Sequence, residues 1–504
     1  MSPAGSRWLW LAVCCLLVSL PFLGVDFIPS TDLPQHLGQL RLFEEAISNP
    51  EAPLTIQWWT PYSLVYLMMA VPWTLFEPIT AGRVAVLLLV LLQVAATHWV
   101  AARFERPQAG AVLALSFFFS NQLYWGFLNF LFGWVAFMVW LIITRRSSEE
   151  ARGWRAALLF LGGALLLYCT HALWFAFGLL WFWVEALVSR RRPLDIAWRF
   201  AGQLPVVVAA LFWYDYLKRT GFGGETVWAL NPLSKLNFEF LVNSGLGGLR
   251  HSIEPLIIVA VLFWIVASLV ANRRRRLWGC DPHFLALTVL LLVVYMAAPD
   301  KHTNTIRFSA RWLPFVFISA LMTIGKLPLR PLLRAGVPLV LLATHMVTTA
   351  AYWKRFEEHD LQGLREALAV LPEAPRVVGL SYLETTPYVI GRPYLQSFAW
   401  AYVLHGGELN FSFGYFSPSL VVYEDLLARI QWTWGLEWFP KRVRRSDFRF
   451  FDYALIAGDD AAHMTVSRIP ELEPVSGEGP WRLYRTEIGP ETPQPPPVQF
   501  LVEP

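Results

Sequence analysis

The sequence predicts a mostly α-helical, polytopic membrane protein of about eleven spans that ends in a C-terminal α/β domain. Its 504 residues are 56% hydrophobic and only 15% charged, whereas soluble domains typically carry about 25% charged residues. Apolar runs long enough to cross, or nearly cross, a bilayer recur as far as residue 350. Beyond residue 351 they give way to a pattern of short strands and one amphipathic helix, which is typical of a globular domain.

The predicted spans are apolar segments separated by short polar or basic turns. They occupy residues 8–24, 80–102, 109–122, 124–143, 155–171, 172–188, 196–213, 253–271, 283–299, 305–324 and 333–350. A further apolar stretch, residues 61–78, is interrupted by Pro72 and ends at Glu77-Pro78.

Basic clusters between these segments predict the orientation, because cytoplasmic loops are enriched in Lys and Arg. If residues 61–78 lie along the outer surface or re-enter the membrane, every cluster falls on the same side as Arg7. The sequence therefore predicts a multi-pass protein of the inner (plasma) membrane, with a cytoplasmic N-terminus and an extracytoplasmic C-terminal domain. The clusters are Arg103/Arg106, Arg145/Arg146, Arg190–Arg192, Arg273–Arg276 and Lys326/Arg330/Arg334.

The chain divides into three predicted parts: a transmembrane domain at 1–351 with an outer loop at 25–79, a soluble α/β domain at 352–488, and a Pro-rich tail at 489–504. The soluble part is predicted to contain an amphipathic helix, two buried strands and one edge strand. These elements are Phe356–Leu371, Arg376–Tyr382, Tyr453–Ala457 and Trp481–Thr486. The net charge of +4 reflects Arg clusters beside membrane segments, so the predicted partner is the lipid bilayer and not nucleic acid.

Residues 25–37, directly after the first span, concentrate ionisable side chains at a membrane boundary. Asp32 and His36 are four residues apart and would share one face of a helix; Asp26 precedes them. Ionisable groups at such a place are costly to hold and often functional. The alternative is that Asp32 caps an interfacial helix, with Gln35 in the capping-box position and Pro34 in the first turn.

Two further sites carry side chains that could meet a phosphate group. His171 stands between two apolar runs on the predicted outer side, where it either contacts a phosphate or simply breaks a helical hairpin. A basic cluster of Lys301, His302, Arg307 and Arg311 also faces outward in this topology. Phosphate recognition and snorkelling towards lipid headgroups are the two interpretations of that cluster.

Several features together resemble the GT-C superfamily of multi-spanning glycosyltransferases, which includes protein O-mannosyltransferases and the lipid A aminoarabinose transferase. One span precedes a long outer loop with an early aspartate, Asp32, in Thr-Asp-Leu-Pro-Gln-His. A juxtamembrane stretch at 60–64 (Thr-Pro-Tyr-Ser-Leu), Ala-Gly-Arg at 81–83 and Thr-His-Ala at 170–172 follow, and a soluble domain ends the chain. The likeness covers roughly residues 1–215. The chain is also similar to bacterial membrane proteins with an Asp-Leu-Pro-x-His loop and a Gly-Phe-Leu-Asn-Phe span.

The resemblance implies an inverting membrane glycosyltransferase that moves a sugar from a polyprenyl-phosphate-linked donor to an acceptor on the outer face. Asp32 would then be the catalytic carboxylate that activates the acceptor, and His171 would contact the donor phosphate. The other predicted substrate-binding residues are Asp26, His36, Lys301, His302 and Arg307.

No metal ligands are predicted, because no metal-ligand spacing occurs in the sequence. The family usually carries an Asp-Glu or Asp-Asp-like pair, whereas Leu33 follows Asp32 here. A carboxylate at this place could nevertheless hold a divalent cation, which is the one cofactor left open.

Two other function classes also remain open from the sequence. A transporter or flippase of lipid-linked precursors would normally show repeated halves and ionisable residues deep inside spans, and the sequence has no convincing repeat. A non-catalytic, membrane-anchored envelope protein would use its outer domain to bind a partner and its spans only as an anchor.

Overall fold

The computed structural model describes residues 3–145 and 153–486, so the predicted tail at 489–504 lies outside the described residues. Helices dominate the described chain, as the composition predicts. They are α1 (Pro3–Ser19), α2 (Leu33–Ser48), α3 (Ser63–Leu75), α4 (Pro78–Arg103), α5 (Gln108–Ala114), α6 (Asn121–Trp125), α7 (Leu128–Arg145), α8 (Gly153–Thr170), α9 (Ala172–Val188), α10 (Pro193–Arg219), α11 (Phe238–Gly245), α12 (Glu254–Ala271), α13 (Pro282–Ala297), α14 (Leu313–Thr323), α15 (Pro331–Arg355), α16 (Leu364–Ala369), α17 (Trp400–His405), α18 (Leu426–Arg429) and α19 (Asp460–Val466).

The strands of the described residues form three small sheets, with strand orders β1-β7, β2-β3-β4 and β6-β5-β8-β10-β9. The strands are β1 (Leu54–Ile56), β2 (Thr226–Val227), β3 (Lys301–His302), β4 (Thr305–Ile306), β5 (Arg376–Ser381), β6 (Glu408–Leu409), β7 (Val421–Tyr423), β8 (Tyr453–Ala457), β9 (Leu472–Ser476) and β10 (Trp481–Thr486). A helical chain that ends in a mixed α/β region confirms the predicted fold class.

The protein is a multi-pass membrane protein with six to eleven candidate spans. Six helices of the described residues are long and apolar enough to cross a bilayer: Pro78–Arg103, Leu128–Arg145, Gly153–Thr170, Pro193–Arg219, Glu254–Ala271 and Pro331–Asp360. Five shorter apolar helices complete the set: Trp8–Phe22, Ser63–Leu75, Ala172–Val188, Pro282–Ala297 and Ala310–Thr323.

The predicted span at 109–122 is not one continuous helix. Helix α5 ends at Ala114, a 3₁₀ turn follows at Leu115–Phe119, and Ser120 is extended (ψ 169°) before α6 begins. Three consecutive phenylalanines, residues 117–119, are each fully buried. A 3₁₀ turn has three residues per turn, so consecutive side chains point in different directions. The Phe117 ring stacks on that of Phe317, and the Phe119 ring lies 6.2 Å from that of Phe22.

The chain forms two compact units. The helical unit comprises Met1–Gly24, Trp59–Met68 and Val84–Tyr352, and the mixed unit comprises Val25–Trp58, Met69–Arg83 and Trp353–Pro504. The mixed unit thus combines two segments from the first hundred residues with the C-terminal part of the chain.

A stack of large aromatic side chains forms the centre of the helical unit. The Trp174 ring centroid lies 5.1 Å from that of Trp312 and 5.0 Å from that of Phe315. Its indole N–H donates to the carbonyl of Phe130 at 2.7 Å. Gly133 permits this approach of α7 to α9, because a Cβ at that position would lie 1.9 Å from Trp174 Cδ1. Small residues serve this purpose at many membrane-helix contacts.

The five-stranded sheet forms the centre of the mixed unit. Strands β5, β8 and β10 match the three predicted strands closely, because their apolar residues face a buried core. The prediction that Trp481–Thr486 is an edge strand is wrong, since β10 pairs with β8 on one side and β9 on the other. β9 takes the edge position, where Pro474 lacks an N–H to donate to a further strand.

The predicted helix at Phe356–Leu371 is divided in two. A π turn at Phe356–Asp360 precedes α16, and Gly363 between them has a positive φ of 85°. A Cβ on Gly363 would lie 2.1 Å from the carbonyl oxygen of Glu478. The chain therefore bends at the one residue whose missing side chain allows both the backbone conformation and the close approach.

Candidate functional site

In the mixed unit, residues 25–37 begin with a clasp of charged groups around Asp26. One carboxylate oxygen of Asp26 lies 2.9 Å from Arg83 Nη1, and the other pairs with Arg365. The Glu357 carboxylate accepts the backbone N–H groups of Asp26 at 2.9 Å and of Phe27 at 3.0 Å. Both oxygens of Asp26 are thus engaged, and the start of the segment is fixed to residues far along the chain.

Asp32 occupies the N-cap position of α2 but does not act as a cap. Its backbone is helical (φ −88°, ψ −1°) and its side chain makes no capping hydrogen bond, so the capping interpretation is wrong. The reason is local: an N-cap normally has extended backbone and bonds the N–H of the second or third helical residue. Pro34, the second helical residue, has no N–H. The carboxylate is half-buried at the helix start.

Gln35, the predicted capping-box residue, forms its side-chain hydrogen bonds with residues of the C-terminal part of the mixed unit instead. Its amide nitrogen donates to Gln396 Oε1 at 2.9 Å, and its oxygen accepts the Phe413 N–H at 3.1 Å. Gln39, one turn later, exchanges two hydrogen bonds with the backbone of Val421, at 2.9 and 3.1 Å. Two buried glutamines therefore fix the orientation of α2, and with it the position of Asp32.

His36 lies one turn after Asp32, as the spacing predicts, and its N–H donates to the carbonyl of Asp32 at 3.0 Å. The imidazole is 5% exposed and its ring meets the Phe413 ring edge-on, with centroids 5.4 Å apart. Asp26, Asp32 and His36 thus all belong to the mixed unit.

In the helical unit, His171 is the single residue between α8 and α9. Its backbone is extended, and its Nδ1 accepts the N–H of Leu173 at 3.0 Å. An imidazole that accepts at Nδ1 is neutral and carries its proton on Nε2. His171 therefore does break the hairpin, and it also keeps one N–H to donate.

Three side chains from distant segments surround His171. The Tyr62 ring centroid lies 5.0 Å from the imidazole and the Phe130 centroid lies 5.3 Å from it, both edge-on. The guanidinium of Arg311 lies 5.8 Å from the Phe130 centroid and acts electrostatically on both His171 and Tyr62. We call His171, Tyr62, Phe130 and Arg311 the His171 cluster.

The polar members of this cluster are hydrogen-bond donors. Burial raises the pKa of Tyr62 to about 12, although the charge of Arg311 opposes this rise; the phenol therefore stays protonated at neutral pH. Arg311 is 7% exposed, and its guanidinium lies over the Phe127 ring at 3.7 Å. A guanidinium, a phenol and a neutral imidazole form a donor set that suits a phosphate oxygen.

The remaining basic residues lie in a small hairpin that precedes α14. Lys301 and His302 form β3, and His302 Nδ1 lies 2.9 Å from Thr226 Oγ1. The four-residue spacing of Arg307 and Arg311 would place them on one face of a helix, but Arg307 has a positive φ of 51° and precedes the helix, so they do not share one. A hydrogen bond of 3.1 Å still joins the N–H of Arg311 to the carbonyl of Arg307. Burial lowers the pKa of Arg307.

Asp300 and Lys235 hold this hairpin in place, and no pattern in the sequence predicts the pair. Asp300 accepts the Ser309 hydroxyl and the Leu230 N–H, each at 2.9 Å. The ammonium of Lys235 is buried and donates to the carbonyl of Ala298 at 2.8 Å, 3.6 Å from the Asp300 carboxylate. The residues around Lys235 form a Gly-rich loop, and no local pattern in such a loop predicts an ion-pair partner more than sixty residues away.

Within residues 3–145 and 153–486, no group of three or more His, Cys, Asp or Glu side chains is placed to hold a metal ion. A divalent cation held by Asp32, the one cofactor left open by the sequence, would need further ligands from substrate or water.

No family model and no curated protein matches this chain. Among solved structures, the crystal structure of ArnT from Cupriavidus metallidurans bound to undecaprenyl phosphate aligns with a TM-score of 0.54 over 97% of this chain and 100% of its own, at 12% identity. The apo crystal structure of the same ArnT gives 0.53 over the same shares, at 13% identity. This chain has the ArnT fold. Arabinofuranosyltransferase AftD from Mycobacteria, solved by single-particle cryo-EM, aligns at 0.47 and 14% identity over 96% of this chain and 41% of its own.

The likeness to ArnT over nearly the whole chain confirms the predicted fold, a helical membrane domain followed by a mixed α/β region. The predicted site residues divide between the two units of this fold: Asp26, Asp32 and His36 belong to the mixed unit, whereas His171, Lys301, His302 and Arg307 belong to the helical unit. The structure brings His171 together with Tyr62 and Arg311.

Proposed function

We propose that this protein is an inverting membrane glycosyltransferase that moves a sugar from a polyprenyl-phosphate-linked donor to an acceptor on the extracytoplasmic face. The observation that carries this proposal is the donor set of the His171 cluster within an ArnT fold. ArnT itself has been crystallised with undecaprenyl phosphate.

The His171 cluster would bind the phosphate of the donor. Arg311 supplies a positive charge, and the Tyr62 hydroxyl and His171 Nε2–H supply directed hydrogen bonds in a site of low dielectric constant, where each is stronger than in water. Arg307 lies one turn before Arg311 and is a further proposed contact. Lys301 and His302, in the adjoining hairpin, complete the proposed binding residues of the helical unit.

Asp32 would act as general base. Its carboxylate takes the proton of the acceptor hydroxyl or amine as that atom forms a bond to the anomeric carbon of the sugar. The bond from the anomeric carbon to the phosphate oxygen breaks, and polyprenyl phosphate leaves with the electron pair. A single displacement of this kind inverts the anomeric configuration. Asp26 and His36 remain proposed acceptor contacts at either end of the same segment.

The proposal also fixes the orientation, since lipid-linked sugars for extracytoplasmic transfer are consumed on the outer face. The N-terminus would then be cytoplasmic, and the mixed unit would lie outside the inner membrane.

The test separates donor binding from transfer in full-length protein held in nanodiscs. Undecaprenyl phosphate serves as the binding probe, and labelled undecaprenyl-phosphate sugars with an envelope extract serve as substrates. Arg311→Gln should weaken binding of the probe about 10- to 100-fold, because it removes a charge-assisted hydrogen bond to phosphate. Asp32→Asn should bind the probe within about twofold of wild type and transfer no sugar.

Arg103→Gln is the matched control, because the Arg103 guanidinium also lies beside a phenylalanine ring of the helical unit, 5.9 Å from the Phe104 centroid. This variant should change neither probe binding nor sugar transfer. Full transfer by Asp32→Asn would remove the catalytic residue from the proposal. Passage of a labelled lipid-linked sugar across liposomes without any transfer product would instead establish the transporter alternative. Rescue of a deletion phenotype by the mixed unit's C-terminal segment alone would establish a non-catalytic envelope protein.

A further inference from the structure

An exposed aromatic ring followed by a run of cations forms a surface that the proposed chemistry does not use. Residues 438–445 read Trp-Phe-Pro-Lys-Arg-Val-Arg-Arg, and we call them the basic loop. Phe439 is 42% exposed. The four basic side chains that follow it are also exposed: Lys441, Arg442, Arg444 and Arg445.

The basic loop is held in shape by the core of the mixed unit. Pro440 begins a 3₁₀ helix that ends at Arg442, and a second 3₁₀ helix runs from Arg445 to Phe450. Asp447 lies in the second 3₁₀ helix, and its carboxylate accepts the N–H of Arg444 at 2.7 Å and that of Thr433 at 3.0 Å. Asp447 is 4% exposed. The cations are therefore presented by ordered backbone and not by a loose tail.

The charge of the basic loop is largely uncompensated. Arg445 pairs with Glu471, but within the described residues no carboxylate lies within ion-pair distance of Lys441, Arg442 or Arg444. Arg442 lies over the Phe439 ring at 4.1 Å, so an apolar ring and a guanidinium are presented together. Such a surface suits a partner that is negatively charged and also has an apolar region for the ring.

We propose that the basic loop binds the anionic lipid headgroups of the bilayer that holds this protein. Aromatic rings beside Lys and Arg are the combination that membrane–water interfaces favour, because the ring enters the headgroup layer while the cations meet phosphate. Each Lys or Arg near an anionic leaflet adds to the attraction. The basic loop and the spans belong to one chain, so contacts with the bilayer that holds the spans form at high effective concentration. A soluble polyanion would account for the cations but not for the exposed ring.

The experiment measures amide hydrogen exchange of residues 438–450 in full-length protein, in nanodiscs of phosphatidylcholine alone or with about 30% phosphatidylglycerol. Exchange in the basic loop should be at least about fivefold slower with phosphatidylglycerol. The difference should vanish in about 0.5 M NaCl, which screens charges at short range. Nanodiscs expose both leaflets, so the result does not depend on the orientation of the protein.

Two charge-matched triple variants and one single variant decide the outcome. Lys441→Gln/Arg442→Gln/Arg444→Gln should abolish the lipid-dependent slowing, and Phe439→Ser should reduce it. Arg468→Gln/Arg482→Gln/Arg485→Gln removes three cations elsewhere in the mixed unit and should leave the lipid-dependent slowing of exchange unchanged. Equal exchange in both lipids would overturn the proposal, as would equal slowing in the two triple variants. If soluble polyphosphate slows exchange in phosphatidylcholine as strongly as phosphatidylglycerol does, the partner is a soluble polyanion and the lipid proposal fails.

Discussion

The imidazole of His171 meets the ring of Tyr62 edge-on, with centroids 5.0 Å apart. The two residues lie more than a hundred positions apart in the chain, and both sit beside the beginning of an apolar helix, Tyr62 before α3 and His171 before α9. Because His171 Nδ1 is occupied by the Leu173 N–H, only Nε2–H is left for a ligand. His171 thus has a structural role through one nitrogen and a proposed binding role through the other.

His171→Asn separates these two roles. The Asn side-chain oxygen can accept the Leu173 N–H as an N-cap, so the helix start should be preserved and Tm should change by less than about 2 °C. The imidazole N–H is lost, and binding of undecaprenyl phosphate should weaken about 5- to 20-fold, the equivalent of one hydrogen bond. Titration of the variant in nanodiscs gives the dissociation constant. Unchanged binding together with unchanged Tm would limit His171 to its role as a cap.

Gly133→Ala should destabilise the helical unit by about 1–3 kcal/mol, the usual cost of overpacking a core. Its Cβ would lie 1.9 Å from Trp174 Cδ1, and Trp174 belongs to an aromatic stack that cannot move freely. Gly162→Ala, on α8, is the control, because no atom lies within 4 Å of its added Cβ. Thermal unfolding in the same detergent should show a lower Tm for the first variant only. Equal Tm values for the two variants would mean that α7 and α9 do not depend on this contact.

Glu437→Gln should stabilise the mixed unit at alkaline pH. Burial raises the pKa of Glu437 to about 8, from an ordinary value of 4.5. Between these two values the unfolded chain has lost this proton while the folded chain keeps it, so stability falls as pH rises through the window. The neutral amide removes that loss of folding free energy, which is on the order of 4 kcal/mol at pH 8 and near zero at pH 4.5.

Tm measured in nanodiscs at several pH values checks this expectation. Glu373→Gln, which removes an exposed carboxylate of the same unit, is the control. A Glu437→Gln protein with the same pH dependence as wild type would show that the buried carboxyl does not titrate as inferred.

Much of the fold follows from local patterns in the sequence. Apolar segments of sufficient length predicted helices such as Ala172–Val188 with the bounds that the structure has. Runs of β-branched and aromatic residues predicted Tyr453–Ala457 and Trp481–Thr486 in the same way. In each case the periodicity of a few neighbouring residues is enough, because secondary structure and burial are set over one or two turns or strands.

The site was predictable only in part. His171 and Asp32 were found because an ionisable side chain at the end of an apolar run is costly and therefore conspicuous. Arg311 belonged to a predicted basic cluster, but its approach to His171 was not visible in the sequence. The pair of Asp300 and Lys235 and the clasp of Asp26 with Arg365 were missed altogether, since no spacing rule links residues that meet only after folding.

By itself, the sequence determined that the protein is a helical membrane protein with a C-terminal α/β region and that a few polar side chains stand at the ends of its apolar segments. Only the tertiary structure decided that Asp32 does not cap its helix and that the segment around it joins the mixed unit. It also decided that His171 meets Tyr62 and Arg311. These outcomes depend on contacts between residues up to 382 positions apart, as between Gln39 and Val421. Such contacts are selected by the packing of whole elements, so no local pattern records them.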